Sequence, residues 1–134
     1  MGRNQERIEG TWAIVSVGRP NRSIEYQKQL LRDEVLGVAR HAAVEIVEGV
    51  WNGEVELGLR IHGPFAQNLA EEIAYRHEQD AYINARDGLA VLHVASEGFK
   101  GGAIFTRMVD VDSEGDLADD YTQLASGARF RLLP

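Results

Sequence analysis

The chain has 134 residues, enough for one domain, and is 44% hydrophobic and 26% charged, the composition of a globular protein. It has no cysteine, which excludes disulfides, thiolate metal sites and cysteine nucleophiles; its net charge of −7 sets the surface as a whole against phosphate. No apolar run approaches the ~20 residues that cross a bilayer, and no basic cluster marks a nucleic-acid footprint, so no membrane and no nucleic acid are expected as partners.

Thr11 to Val17 is β-branched and apolar and lies between Gly10 and Gly18-Arg19-Pro20-Asn21, the pattern of a buried strand. Ser23 then reads as an N-cap, and Ile24, Leu31, Val35, Val38 and Ala42 follow at helical spacing. Ala43 to Glu48 is a second strand. Asn52-Gly53 is a strong hairpin signal, and Glu54 to His62 returns with clean alternation. Val55, Leu57, Leu59 and Ile61 take one face; Glu54, Glu56, Gly58 and Arg60 take the other.

Gly63-Pro64 breaks the strand, and Phe65, Leu69 and Ile73, with Ala66, Ala70 and Ala74 beside them, predict an amphipathic helix. Ala81–Ala85 and Leu89–Val94 are strands joined by the turn Arg86-Asp87-Gly88. Ser96 to Gly102 is a loop, Ala103–Val109 a further candidate strand, 112–120 an acidic surface loop, and Ala128–Leu133 a candidate edge strand.

The order predicts an α+β chain: a ferredoxin-like split βαββαβ sheet with helices on one face plus one or two extra C-terminal strands. It forms a single domain over 1–134, with its core at about 11–110. Strands such as Ala13-Ile14-Val15 are apolar on both faces, so the second sheet face is expected to be covered by another copy of the chain in a homo-oligomer.

The common catalytic signatures are missing: no P-loop, no Gly-x-Gly-x-x-Gly after a strand, no Gly-x-Ser-x-Gly elbow. The histidines His41, His62, His77 and His93 have no metal-ligand spacing, so no metal is expected. Carboxylates remain. Glu45, Glu54 and Glu56 surround the Trp51 hairpin, and Glu78 and Asp80 stand at the second helix–strand junction, His77-Glu78-Gln79-Asp80. A Trp with several carboxylates suits a cationic, partly aromatic small molecule. Read by itself, His77 to Asp80 is also an ordinary solvated helix end.

The segment Asn68-Leu69-Ala70-Glu71-Glu72-Ile73-Ala74, then His77-Glu78-Gln79-Asp80 and a β-hairpin, resembles the phage-encoded S-adenosylmethionine (SAM) lyases, anti-restriction enzymes also called SAM hydrolases. Gly18-Arg19-Pro20-Asn21 and the aromatic–glutamate pair of Trp51 with Glu54 or Glu56 are similar to theirs, over roughly residues 11–95. Trp51 stands where the family usually has Tyr, and His77 where it has another aromatic residue. The resemblance implies cleavage of SAM to 5'-methylthioadenosine and L-homoserine lactone in the host cytoplasm, with no cofactor, in a trimer with its site between subunits. It assigns Glu56 and Glu78 as catalytic, with Glu56 preferred to Glu54 as the strand glutamate. Trp51, Glu54, Gln79, Asp80 and Glu45 become substrate-binding. The alternative is a non-catalytic, oligomeric small-molecule-binding or regulatory module.

Overall fold

The computed structural model describes residues 5–19, 21–51, 54–111 and 121–134. Its strands are β1 (Gln5–Arg7), β2 (Trp12–Ser16), β3 (Ala43–Trp51), β4 (Glu54–His62), β5 (Ala81–Arg86), β6 (Leu89–Val94), β7 (Ile104–Phe105), β8 (Arg107–Asp110), β9 (Tyr121–Gln123) and β10 (Arg129–Leu133). Helix α1 spans Ile24–Val38 and α2 spans Ala66–Arg76. All described strands join one antiparallel sheet in the order β1-β8-β10-β9-β3-β4-β2-β5-β6-β7.

The alternation in β4 sets the two faces of this sheet. Leu57, Leu59 and Ile61 are buried with Ala13 and Val15 of β2 beneath the helices. Helix α1 starts at Ser23, whose Oγ accepts from the Tyr26 N–H at 3.2 Å, as the sequence predicts. Leu31, Val35, Val38 and Ala42 of the expected stripe pack on the core, but its first member, Ile24, is exposed, and Gln27 is buried instead. The Gln27 amide satisfies itself there by accepting from the Leu57 N–H at 3.1 Å and donating to the Arg22 carbonyl at 3.2 Å. In α2 the buried residues are Ala66, Ala70, Ile73 and Ala74, while Phe65 lies exposed at the N-cap. The alanines let the α2 backbone lie close to β2.

The opposite face carries a second core. Trp12 and Ile14 of β2, Ile83 and Ala85 of β5 and Ala90 of β6 pack with Phe130 of β10, and Met108, Leu132 and Phe105 join them. Trp12 meets Phe130 edge to face, with ring centroids 6.3 Å apart. β2 and β10 are far apart in the sheet order, so these contacts require the sheet to curl on itself.

The expected ferredoxin-like sheet with one or two C-terminal strands is therefore corrected. The described residues form a ten-stranded antiparallel sheet curled into a nearly closed barrel, with two α-helices. The difference comes from β8, β9 and β10. They extend the sheet through β9 from the outer edge of β3, and the extension, which β1 continues, curls back over the inner face instead of ending as one or two accessory edge strands. The same strands cover the apolar face for which a second copy of the chain was expected. The Asn52-Gly53 turn, the Trp51 side chain and the acidic stretch 112–120 lie outside the described residues. Among the described residues no helix is long and apolar enough to cross a membrane.

Candidate functional site

Curling the sheet leaves a cavity of about 320 Å³ on its inner side. Ile14, Val47, Ile83 and Leu92 form an apolar floor, drawn from four strands. Ser16, Glu56, Gln79, Asp80 and Thr122 add polar groups. The volume is in the range of small-molecule sites, as is the ratio of apolar wall to few polar groups.

Glu56 enters this wall because β4 alternates: Leu57 takes the helix side, so Glu56 takes the inner side. It stands across from Gly49 of β3, which has no side chain to crowd it. Burial pushes the Glu56 carboxyl above the usual range, and the negative charges of Asp80 and Glu54 add to this. A hydrogen bond from Ser16 and the positive charge of Arg19 act in the other direction. Asp80 reaches the same cavity from the turn before β5 and is exposed.

Two close approaches fix the rim. A Cβ on Gly18 would fall 2.3 Å from the Gln27 Oε1 and 3.1 Å from the Glu56 Cα, so the loop after β2 lies directly on the Glu56 backbone. Gln79 then ties that loop to the helix–strand junction: its Nε2 donates to the Gly18 carbonyl at 3.1 Å and to the His77 carbonyl at 3.3 Å. Gln79 is buried, and its amide is used by backbone carbonyls on both sides. Arg19 donates from its guanidinium to the Glu78 carbonyl. Glu78 itself is left-handed, with φ +53°, so the chain turns sharply between α2 and β5.

Of the residues singled out in the sequence, Glu56, Gln79 and Asp80 meet at one cavity. Glu54 is exposed beside the turn and acts on Glu56 through its charge. Glu78 is exposed on the adjoining turn; among the described residues its carboxylate has no partner, while its carbonyl anchors Arg19. Glu45 lies elsewhere on the inner face. It accepts from Arg60 at 3.0 Å and pairs with His62 at 3.1 Å, and the Arg60 guanidinium sits 5.6 Å from the Trp12 ring. Burial works to raise the Glu45 carboxyl, but Arg60 and His62 prevail and hold it below its ordinary value. Glu45 is opposite Arg60, four residues along β4 from Glu56, or about 13 Å away at strand spacing.

Ser16 and Thr122 line the cavity, and Gln27 packs on Gly18 at its rim; the sequence pattern did not single out these three, and it named Arg19 only within the Gly18-Arg19-Pro20-Asn21 motif. Ser16 was detectable: it continues the Trp12–Ile14 face of β2 to the strand end. Thr122 was not, because a three-residue strand beyond an acidic stretch carries no periodicity. Behind the rim His77 is buried between Glu34, whose Oε2 is 3.7 Å from Nε2, and Arg22, whose Nη1 is 3.5 Å from Nδ1. Burial lowers its pKa, with the charges of Arg22 and Arg76 in the same sense and Glu34 opposing. Tyr82 donates its hydroxyl to Glu71 at 3.0 Å on the helix side, and burial with the Glu71 contact pushes its phenol up to about 12. Among the described residues no group of three or more His, Asp or Glu could hold a metal ion. Compared with known proteins, the chain matches no family model and no curated protein.

Proposed function

We propose that the chain is a SAM lyase, cleaving SAM to 5'-methylthioadenosine and L-homoserine lactone. The observation that carries this reading is the cavity itself. It joins a glutamate from the β3–β4 hairpin to Gln79 and Asp80, and these are the two distant segments on which the resemblance to phage SAM lyases rests.

The reaction asks for little chemistry from the protein. The substrate carboxylate forms a C–O bond to its own γ-carbon, the C–S bond breaks, and its electron pair returns to the sulfonium sulfur. No proton is transferred and no water is activated. The site has to fold the methionine chain so that oxygen, carbon and sulfur are in line; such orientation is worth ~7–11 kcal/mol in favourable intramolecular cases. Glu56 and Asp80 supply anions for the α-ammonium, and the apolar floor suits the uncharged thioether product. Glu78, with its exposed carboxylate on the adjoining turn, is assigned with Glu56 to the ammonium and ribose hydroxyls. The trimer expected of the family would bring a neighbouring chain to the mouth of the cavity, and sedimentation velocity tests it. Loss of SAM would deprive SAM-dependent restriction and methylation of their cofactor.

Incubation of the purified protein with SAM, followed by chromatography, should yield methylthioadenosine and homoserine lactone in equal amounts. Glu56→Gln and Glu78→Gln should each lower turnover by about a hundredfold, the scale for misplacing the reacting atoms by about an ångström when a positioning group is lost. No product from micromolar enzyme over hours would reject the lyase; wild-type rates in both variants would reject the site.

A further inference from the structure

We propose that Arg19 is a specificity-determining residue that grips the α-carboxylate of the ligand, so that the rim of the cavity recognises an amino-acid zwitterion and not simply a cation. This deepens the lyase reading and rests on it.

The placement follows from backbone contacts. Gly18 lies against the Glu56 Cα, and Arg19 is the next residue. The Arg19 guanidinium spans to the turn after α2, where it donates to the Glu78 carbonyl, two residues before Asp80. One positive group is thus held beside a cavity whose charged lining residues are Glu56 and Asp80. Among the described residues the Glu78 carbonyl is the hydrogen-bond partner of the Arg19 guanidinium, so further N–H groups of its planar fork remain for a ligand. A guanidinium anchored by one N–H is pre-oriented for a carboxylate, which it meets with two parallel hydrogen bonds.

An entirely acidic rim would accept any cation of suitable size. A rim with both signs, over an apolar floor, matches a head group with an ammonium and a carboxylate on one carbon and an apolar or thioether-bearing tail. In the lyase reaction the carboxylate loses its charge when the lactone forms. Arg19 therefore holds the substrate better than the product, and its contribution belongs to binding more than to the chemical step.

Binding of two ligands that do not undergo the reaction tests this by calorimetry. Sinefungin keeps the amino-acid end and a positive centre; decarboxylated SAM keeps the ammonium and sulfonium but has no carboxylate. The wild-type protein should bind sinefungin more tightly, and Arg19→Gln should weaken sinefungin at least about tenfold, the worth of a hydrogen bond to a charged group. The same variant should leave decarboxylated SAM within about twofold, and Arg19→Lys should keep part of the preference. Equal loss of both ligands in Arg19→Gln would show that Arg19 only clamps the Glu78 turn and would overturn the proposal. So would unchanged sinefungin affinity, or a wild type that does not distinguish the two. A wild type that binds neither ligand, by contrast, removes the SAM reading itself.

Discussion

Half-buried Glu56 and buried His77 are two titratable residues whose effects on stability run in opposite directions. The Glu56 carboxyl is raised above 4.5, so between that value and its folded value the folded chain holds more protons than the unfolded one. Stability due to Glu56 therefore grows as pH falls through that window, and at neutral pH its ionised form costs stability. Glu56→Gln should raise the melting temperature slightly at pH 7 while activity is lost; a fall in melting temperature would show that the carboxylate supports the fold. His77 is lowered below 6.5, so the unfolded chain binds the extra proton first. Its contribution is present above 6.5 and is lost as pH falls through the folded pKa. Urea denaturation at a series of pH values between about 7 and 5 should show a loss of stability that His77→Gln reduces; an unchanged slope would remove His77 as its source. Neither effect was legible in the sequence. His77 read as a solvated helix end because the residues that bury it, Arg22 and Glu34, are more than 40 positions away and follow no shared pattern.

At the scale of elements, periodicity carried most of the information. The β4 alternation, the Ser23 cap and the β5–β6 hairpin follow directly from the sequence, and with them the side of the sheet that Glu56 faces. The helices and most of their packing faces were legible: Leu31, Val35 and Val38 of α1 and the small residues Ala66, Ala70 and Ala74 of α2 meet the core as their spacing predicts. The departures are at the N-terminal ends, where Ile24 and Phe65 are exposed and Gln27, an amide with two backbone partners, is buried. Close approach between elements leaves its trace in small residues, the alanines of α2 and, between β2 and β4, Gly58. A Cβ there would lie 2.5 Å from the Val15 carbonyl oxygen and 3.0 Å from the Ser16 Cα, both backbone atoms that cannot move independently. Gly58→Ala is expected to cost about 1–3 kcal/mol in urea unfolding, the range for overpacking. Because Ser16 and Glu56 flank the strained contact, it should also weaken ligand binding. A neutral result would mean that β2 and β4 separate at little cost.

At the scale of the molecule, the sequence misleads about what covers the second apolar face. Ala13-Ile14-Val15 does signal burial on both sides, but the signal does not say whose residues do the burying. Segments 103–109 and 128–133 are legible as candidate strands, but at two to five residues each the covering strands are too brief for alternation to show which face they bury. Phe130→Ala tests the cover: with Phe130 buried against Trp12, the truncation should cost about 3–5 kcal/mol. A cost below about 1 kcal/mol would show that β10 merely rests on the sheet. The pairing of β1 with β8 also has a kinetic side. Gln5 lies opposite Val109, and β10 occupies the other edge of β8, so both edges of this strand are filled by segments remote from it or late in the chain. Contacts of such long sequence separation require loop closure before they return any stabilisation, and they slow folding. The β2–β6 region can pair while the chain is still being made, but the second core waits for residue 130. Until then Trp12, Ile14 and Ile83 face water, and that interval is when a newly made chain is most open to aggregation and to chaperones.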